Sequence, residues 1–158
     1  MSWDKELKLK QLDELIYRLK PKEVYKKPKI GWIKLIRTTI AMSARILGNR
    51  VGVTQSRIAL IEKGEVNGTI TLQTLEKIAD GLECEVIYLL VPKEGSLAKM
   101  REKQAYYKAK ALNSYAEHHM ALENQSTSPE YQRQEIEKAK DEYLRNWHND
   151  LWEEHDDK

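Results

Sequence analysis

Apolar residues recur three and four positions apart over most of the chain, and the points where that rhythm breaks divide it into short helices. Leu9, Leu12, Leu15, Ile16 and Leu19 form one stripe over residues 4–19, with charges between them, and Pro21 ends it. Lys20–Lys29 holds two prolines and five lysines and reads as an extended basic linker or arm. From Gly31 the punctuation tightens. Trp32, Ile33, Ile36 and Ile40 make one stripe. Ser43 can cap a helix bearing Ile46, Leu47 and Val51 that ends at Gly52, and Thr54 can cap another bearing Ile58 and Ile61 that ends at Gly64. Thr71 can cap a fourth, with Leu72, Leu75, Ile78 and Ala79 inward and Gly81 at its end.

Residues 83–91 (Glu-Cys-Glu-Val-Ile-Tyr-Leu-Leu-Val) change the pattern to polar/apolar alternation rich in β-branched and aromatic side chains, stopped by Pro92. They read as a strand, which could pair with its own copy in a second chain because no other strand is predicted. A buried fifth helix is the alternative. Helix returns over 96–124, with Ser96 as cap and Leu97, Met100, Tyr107, Ala111, Tyr115 and Leu122 near helical spacing. Asn124-Gln125-Ser126-Thr127 breaks it, and Ser128-Pro129-Glu130 restarts it: a cap, a proline at the first helical position and an acid in the first turn. This last helix, with Ile136, Ala139, Tyr143 and Trp147 on one side, is expected to reach about Trp152, followed by a frayed tail, Glu153–Lys158. The expected organisation is residues 1–30 as helix and linker, 31–95 as a domain ending in the strand, and 96–158 as a helical extension.

Composition narrows the function. In 158 residues there are 27 basic and 25 acidic side chains, a formal net charge of +2. The total hides a gradient: 9 basic against 5 acidic over 1–30, 8 against 7 over 31–95, and 10 against 13 over 96–158. Val24–Ile61 holds eight cations (Lys26, Lys27, Lys29, Lys34, Arg37, Arg45, Arg50, Arg57) and no acid, a stretch suited to a polyanion. A single Cys84 excludes an internal disulfide, no apolar run suggests a membrane span or export signal, and a cytoplasmic protein is expected. There is no glycine-rich phosphate loop, nucleophile elbow or zinc spacing, so neither an enzyme nor a cofactor is expected. His119 and Glu123, four apart, lack further ligands for a metal. The tyrosines and tryptophans of the extension, at helical spacing, suit packing better than base stacking.

Ser43–Gly64 meets the physical needs of a helix-turn-helix. Two short helices crossing steeply need a small residue where they approach, supplied by Gly48, and a turn residue tolerant of φ > 0, supplied by Gly52; Val53 and Ile58 would fill the angle. Over about residues 31–81 the sequence resembles the Cro/repressor-type (Xre) helix-turn-helix family, in which Glu-x-Gly, here Glu62-Lys63-Gly64, closes the recognition helix. The resemblance implies a helix Thr54–Lys63 entering the major groove N-terminus first, and a dimer on a palindromic operator. Gln55 would read a base, able to bond adenine twice, with Ser56 and Arg57 beside it. Thr54 would cap the helix and touch a phosphate, and Arg45, Arg50, Lys63 and Asn67 would contact the backbone. The fold class expected is therefore mainly α, an Xre-type helix-turn-helix domain followed by one β-strand pairing across a dimer and by C-terminal helices.

The order of the whole chain resembles a narrower family, the mobile mystery protein A regulators, on the leucine helix, Gly31-Trp32-Ile33, Ser43-Ala44-Arg45, Ser56-Arg57-Ile58, Leu60-Ile61-Glu62-Lys63, Leu90-Val91-Pro92 and Met120-Ala121-Leu122-Glu123-Asn124-Gln125. That resemblance implies a neighbouring Fic-domain toxin, an AMP transferase, for which this chain would be the antitoxin. Its inhibitory motif, Ser or Thr, three residues, Glu, then Gly or Asn, is matched by His119, Glu123 and Asn124, with His119 in place of the hydroxyl residue. Glu123 would pair with an active-site arginine and deny it to the ATP γ-phosphate. The alternative from another class is a plain Xre-family repressor whose C-terminal helices serve only dimerisation.

Overall fold

The computed structural model describes residues 2–21 and 26–153. Part of the basic linker (22–25) and most of the expected frayed tail (154–158) lie outside the described residues. Two compact units emerge: one spans Pro21–Tyr88, and the other joins the N-terminal helix to the chain from Leu89 onward. Every regular element among the described residues is helical: α1 (Ser2–Leu19), α2 (Trp32–Thr39), α3 (Ala44–Val51), α4 (Gln55–Asn67), α5 (Leu72–Gly81), α6 (Leu97–Leu122), α7 (Pro129–Asn146) and a 3-10 turn, Asn149–Trp152. None of these helices is long and apolar enough to cross a membrane.

The helix starts follow from side-chain caps. The hydroxyls of Ser43, Thr54, Thr71, Ser96 and Ser128 each accept a hydrogen bond from the backbone N–H three residues on, satisfying donors that a helix leaves open. Two starts are capped from far along the chain instead. Glu65 accepts from the N–H groups of Trp32 (2.7 Å) and Ile33 (3.0 Å) at α2. Asp13 does the same for Leu97 (2.7 Å) and Ala98 (3.1 Å) at α6, tying α1 to that helix.

The core of the 21–88 unit is Ile33, Leu47, Ile58, Ile61, Ile78 and Leu82, ringed by Ile36, Met42, Val51, Val53, Ile70 and Leu75. Glu62 is buried against α2, where it accepts from Arg37 Nε at 2.7 Å and Nη2 at 3.3 Å, while Arg37 Nη1 donates to the Met42 carbonyl. In the other unit α6 and α7 form a helical hairpin. Ala105, Ala109 and Leu151 are buried, Gln104 Nε2 donates to the Leu151 carbonyl, and the buried Lys108 donates to the Asp150 and Glu153 carbonyls. Arg101 stacks 3.5 Å from the Trp147 ring centroid, and burial lowers its pKa, with Glu6 acting in the opposite sense.

The structure corrects three expectations. No strand forms at 83–91, nor does a fifth helix: there is no sheet among the described residues, so a dimer ribbon built on this segment falls away. Glu83 adopts a left-handed φ of 56°, and the next amides return to α5, Glu83 N–H to Asp80 O and Cys84 N–H to Ala79 O. The polar/apolar alternation serves a different neighbour: Cys84 and Val86 are half-buried along a groove lined by Trp32, Ile33, Ile36, Leu75 and Leu82, and Glu85 between them is exposed. Second, α4, the helix expected to end at Gly64, runs on to Asn67. Gly68, at φ 75°, ends it, and Gly64 O receives the N–H groups of Thr69 and Ile70. Third, the last helix stops at Asn146, where Trp147 turns left-handed (φ 51°) and a separate 3-10 turn follows.

Candidate nucleic-acid interface

Helices α3 and α4 meet through Gly48. A Cβ there would lie 2.5 Å from the Val53 carbonyl oxygen and 3.3 Å from the Thr54 carbonyl carbon, so the crossing depends on a bare backbone. Val53 N–H also donates to Gly48 O at 2.9 Å. Gly52 between them takes φ 74°, ψ 35°, the left-handed turn that reverses the chain. This geometry fixes the first turn of α4, in which Thr54 Oγ1 accepts from Arg57 N–H at 3.1 Å. Thr54, Gln55, Ser56 and Arg57 are all exposed, at the end of α4 where the helix dipole favours an anion.

The structure sorts the other predicted contacts. Arg45, Lys63 and Asn67 are exposed. Arg50 is engaged by the fold: its Nε donates to Gly81 O at 2.7 Å and its Nη2 pairs with Glu83 at 2.6 Å, clasping the end of α5. Lys34, marked by the sequence only as one cation of the acid-free stretch and not as a backbone contact, lines with Lys63, Glu62, Ile30, Ala59 and Val66 a shallow depression of about 280 Å³ on the flank of α4. The signal was available in the helical spacing: Glu62 and Glu65 share the inward stripe of Ile58 and Ile61, so α4 turns its acids in and its lysine out.

In the other unit, His119, Glu123 and Asn124 come together on one exposed turn. His119 lies in the last turn of α6 with its ring 4.5 Å from that of Tyr115, edge to face. Glu123 follows the helix as its C-cap, its N–H donating to Met120 O. Asn124 has φ 55°, the conformation in which glycine and asparagine are the residues least strained, a physical reason for a Gly-or-Asn position there. Thr127 holds the loop by donating its N–H and hydroxyl to the Glu117 carboxylate. Among the described residues no three His, Cys, Asp or Glu side chains are grouped as a metal site.

Comparison with protein-family models, with curated proteins and with solved structures returns no match for this chain.

Proposed function

We propose that the chain is a sequence-specific, double-stranded-DNA-binding regulator of the Xre type, acting in the cytoplasm as a homodimer on a palindromic operator. The observation that carries this is the exposed first turn of α4, Thr54–Arg57, aimed outward by the Gly48 crossing and flanked by cations while the acids of the same helix face the core. Gln55 is the base reader and Arg57 reads or contacts a phosphate. The test is selection of a preferred duplex from a random pool, followed by Gln55→Ala. Preference over random sequence is expected to fall by about 1–3 kcal/mol, roughly 5- to 150-fold, with weak, salt-sensitive binding retained. Unchanged preference would remove Gln55 from the readout.

The C-terminal hairpin supports a second role within this proposal, as the antitoxin element of a mobile mystery protein A-like regulator that restrains a Fic-domain AMP transferase. Its support is the exposed turn of His119, Glu123 and left-handed Asn124, which delivers a carboxylate at the tip of a hairpin. Glu123→Gly in the purified complex is expected to release AMP transfer while the complex stays assembled. Equal inhibition toward ATP would leave the plain repressor as the better reading.

A further inference from the structure

The cations of the acid-free stretch fall into two groups in the fold. Lys27, Arg37 and Arg50 are held by hydrogen bonds within the unit, whereas among the described residues the exposed side chains of Lys26, Lys29, Lys34, Arg45 and Arg57 have no hydrogen-bond or ion-pair partner. Lys27 is the informative member of the first group. Its Nζ donates to the carbonyls of Glu65 at 2.7 Å and Val66 at 3.2 Å, near the C-terminal end of α4, where open carbonyls and the helix dipole favour a cation. Four residues on, Gly31 N–H closes a turn onto Pro28 O at 3.0 Å. Residues 26–31 are therefore fastened to the recognition helix at one point and shaped at a second.

The exposed charges that line the depression beside this segment are both cationic. Glu62 and Glu65, the acids of α4, are buried and occupied by Arg37 and by the start of α2. Lys34 and Lys63 line the depression on α4 together with Ile30, Ala59, Val66 and the buried Glu62 that Arg37 neutralises. Ser56, Ala59, Lys63 and Val66 are spaced three and four apart, so this depression continues the Ser56 side of the exposed first turn along the same helix. Resting on the DNA-binding proposal, we infer that Lys26, Lys29 and Lys34 form with Lys63 a second phosphate-contacting ridge, pinned by Lys27, that follows the sugar-phosphate backbone beside the groove entered by α4. Such contacts add affinity and fix register without reading sequence.

The test uses the full chain and measures affinity for the selected duplex and for a random duplex across a series of monovalent salt concentrations. The triple variant Lys26→Gln/Lys29→Gln/Lys34→Gln is compared with a control of equal charge loss, Lys5→Gln/Lys99→Gln/Lys110→Gln, all exposed positions of the other unit. The first is expected to reduce the slope of log affinity against log salt by about 2 to 3, and to weaken both duplexes equally. The control is expected to leave the slope as in the parent. A triple variant with the parental slope, or one matched by the control, overturns the ridge and leaves the role of Gln55 standing. A parent that binds no duplex at low salt overturns both.

Discussion

Glu62→Ala is expected to destabilise the 21–88 unit by about 3 kcal/mol or more, because it strands the Arg37 guanidinium in a site where its side chain is only 11% exposed. One hydrogen bond, from Nη1 to Met42 O, survives the change, and it cannot replace a carboxylate that accepts from two nitrogens. For a unit of this length each kcal/mol shifts Tm by roughly 4–8 °C, so the loss should be plain in a thermal melt combined with hydrogen exchange at the α3–α5 amides. The decisive comparison is the double variant Arg37→Met/Glu62→Leu. A buried pair is costly to break yet cheap to replace by apolar residues of similar volume, so the double variant should recover most of the lost stability. A single variant that melts with the parent would show that the pair contributes little.

Gly48→Val should be comparably severe and more informative about function. The atoms a side chain would strike are backbone, the carbonyls of Val53 and Thr54, rather than the yielding end of a neighbouring residue. Relief requires α3 and α4 to separate, at a cost of about 1–3 kcal/mol or more, and it displaces the cap that positions Gln55 and Arg57. Sequence preference is therefore expected to be lost even at temperatures where the chain remains helical. Gly52 offers the contrast, with open space around it and a left-handed φ of 74°: Gly52→Asn should cost less than about 1 kcal/mol and leave preference intact. If Gly48→Val bound the selected duplex like the parent, the close approach would have no part in aiming the helix.

What the sequence discloses and what it conceals divides along the range of the interactions. Ser43, Thr54, Thr71, Ser96 and Ser128 are legible as caps because a hydroxyl and the amide it serves are three residues apart. The exposed first turn of α4 is legible for the same reason, given the two glycines before it. The segment 83–91 misleads because alternation reports only that one side of an extended chain is covered, and does not say by what; its cover at Cys84 and Val86 is helical. Arg50 and Lys27 look like free cations in the sequence, and their partners stand 31 and 38 residues away. Glu65 likewise gives no hint that it caps a helix starting 33 residues before it.

The Asp13 contact joins positions 84 residues apart, and the whole 21–88 unit is threaded between them. During synthesis the leucine helix α1 leaves the ribosome before the 21–88 unit and its Asp13 contact waits until α6 has been made, whereas the unit between them can complete its own core meanwhile. Its native neighbours arrive late, which leaves α1, with Leu7, Leu12, Leu15 and Leu19 exposed even in the finished fold, open to chaperones and proteases in a nascent chain. It also means that cutting the gene at Gly31 to isolate the helices of the 21–88 unit would cost that unit the Lys27 clasp on α4, and would remove a carboxylate cap from the helix that carries the C-terminal hairpin.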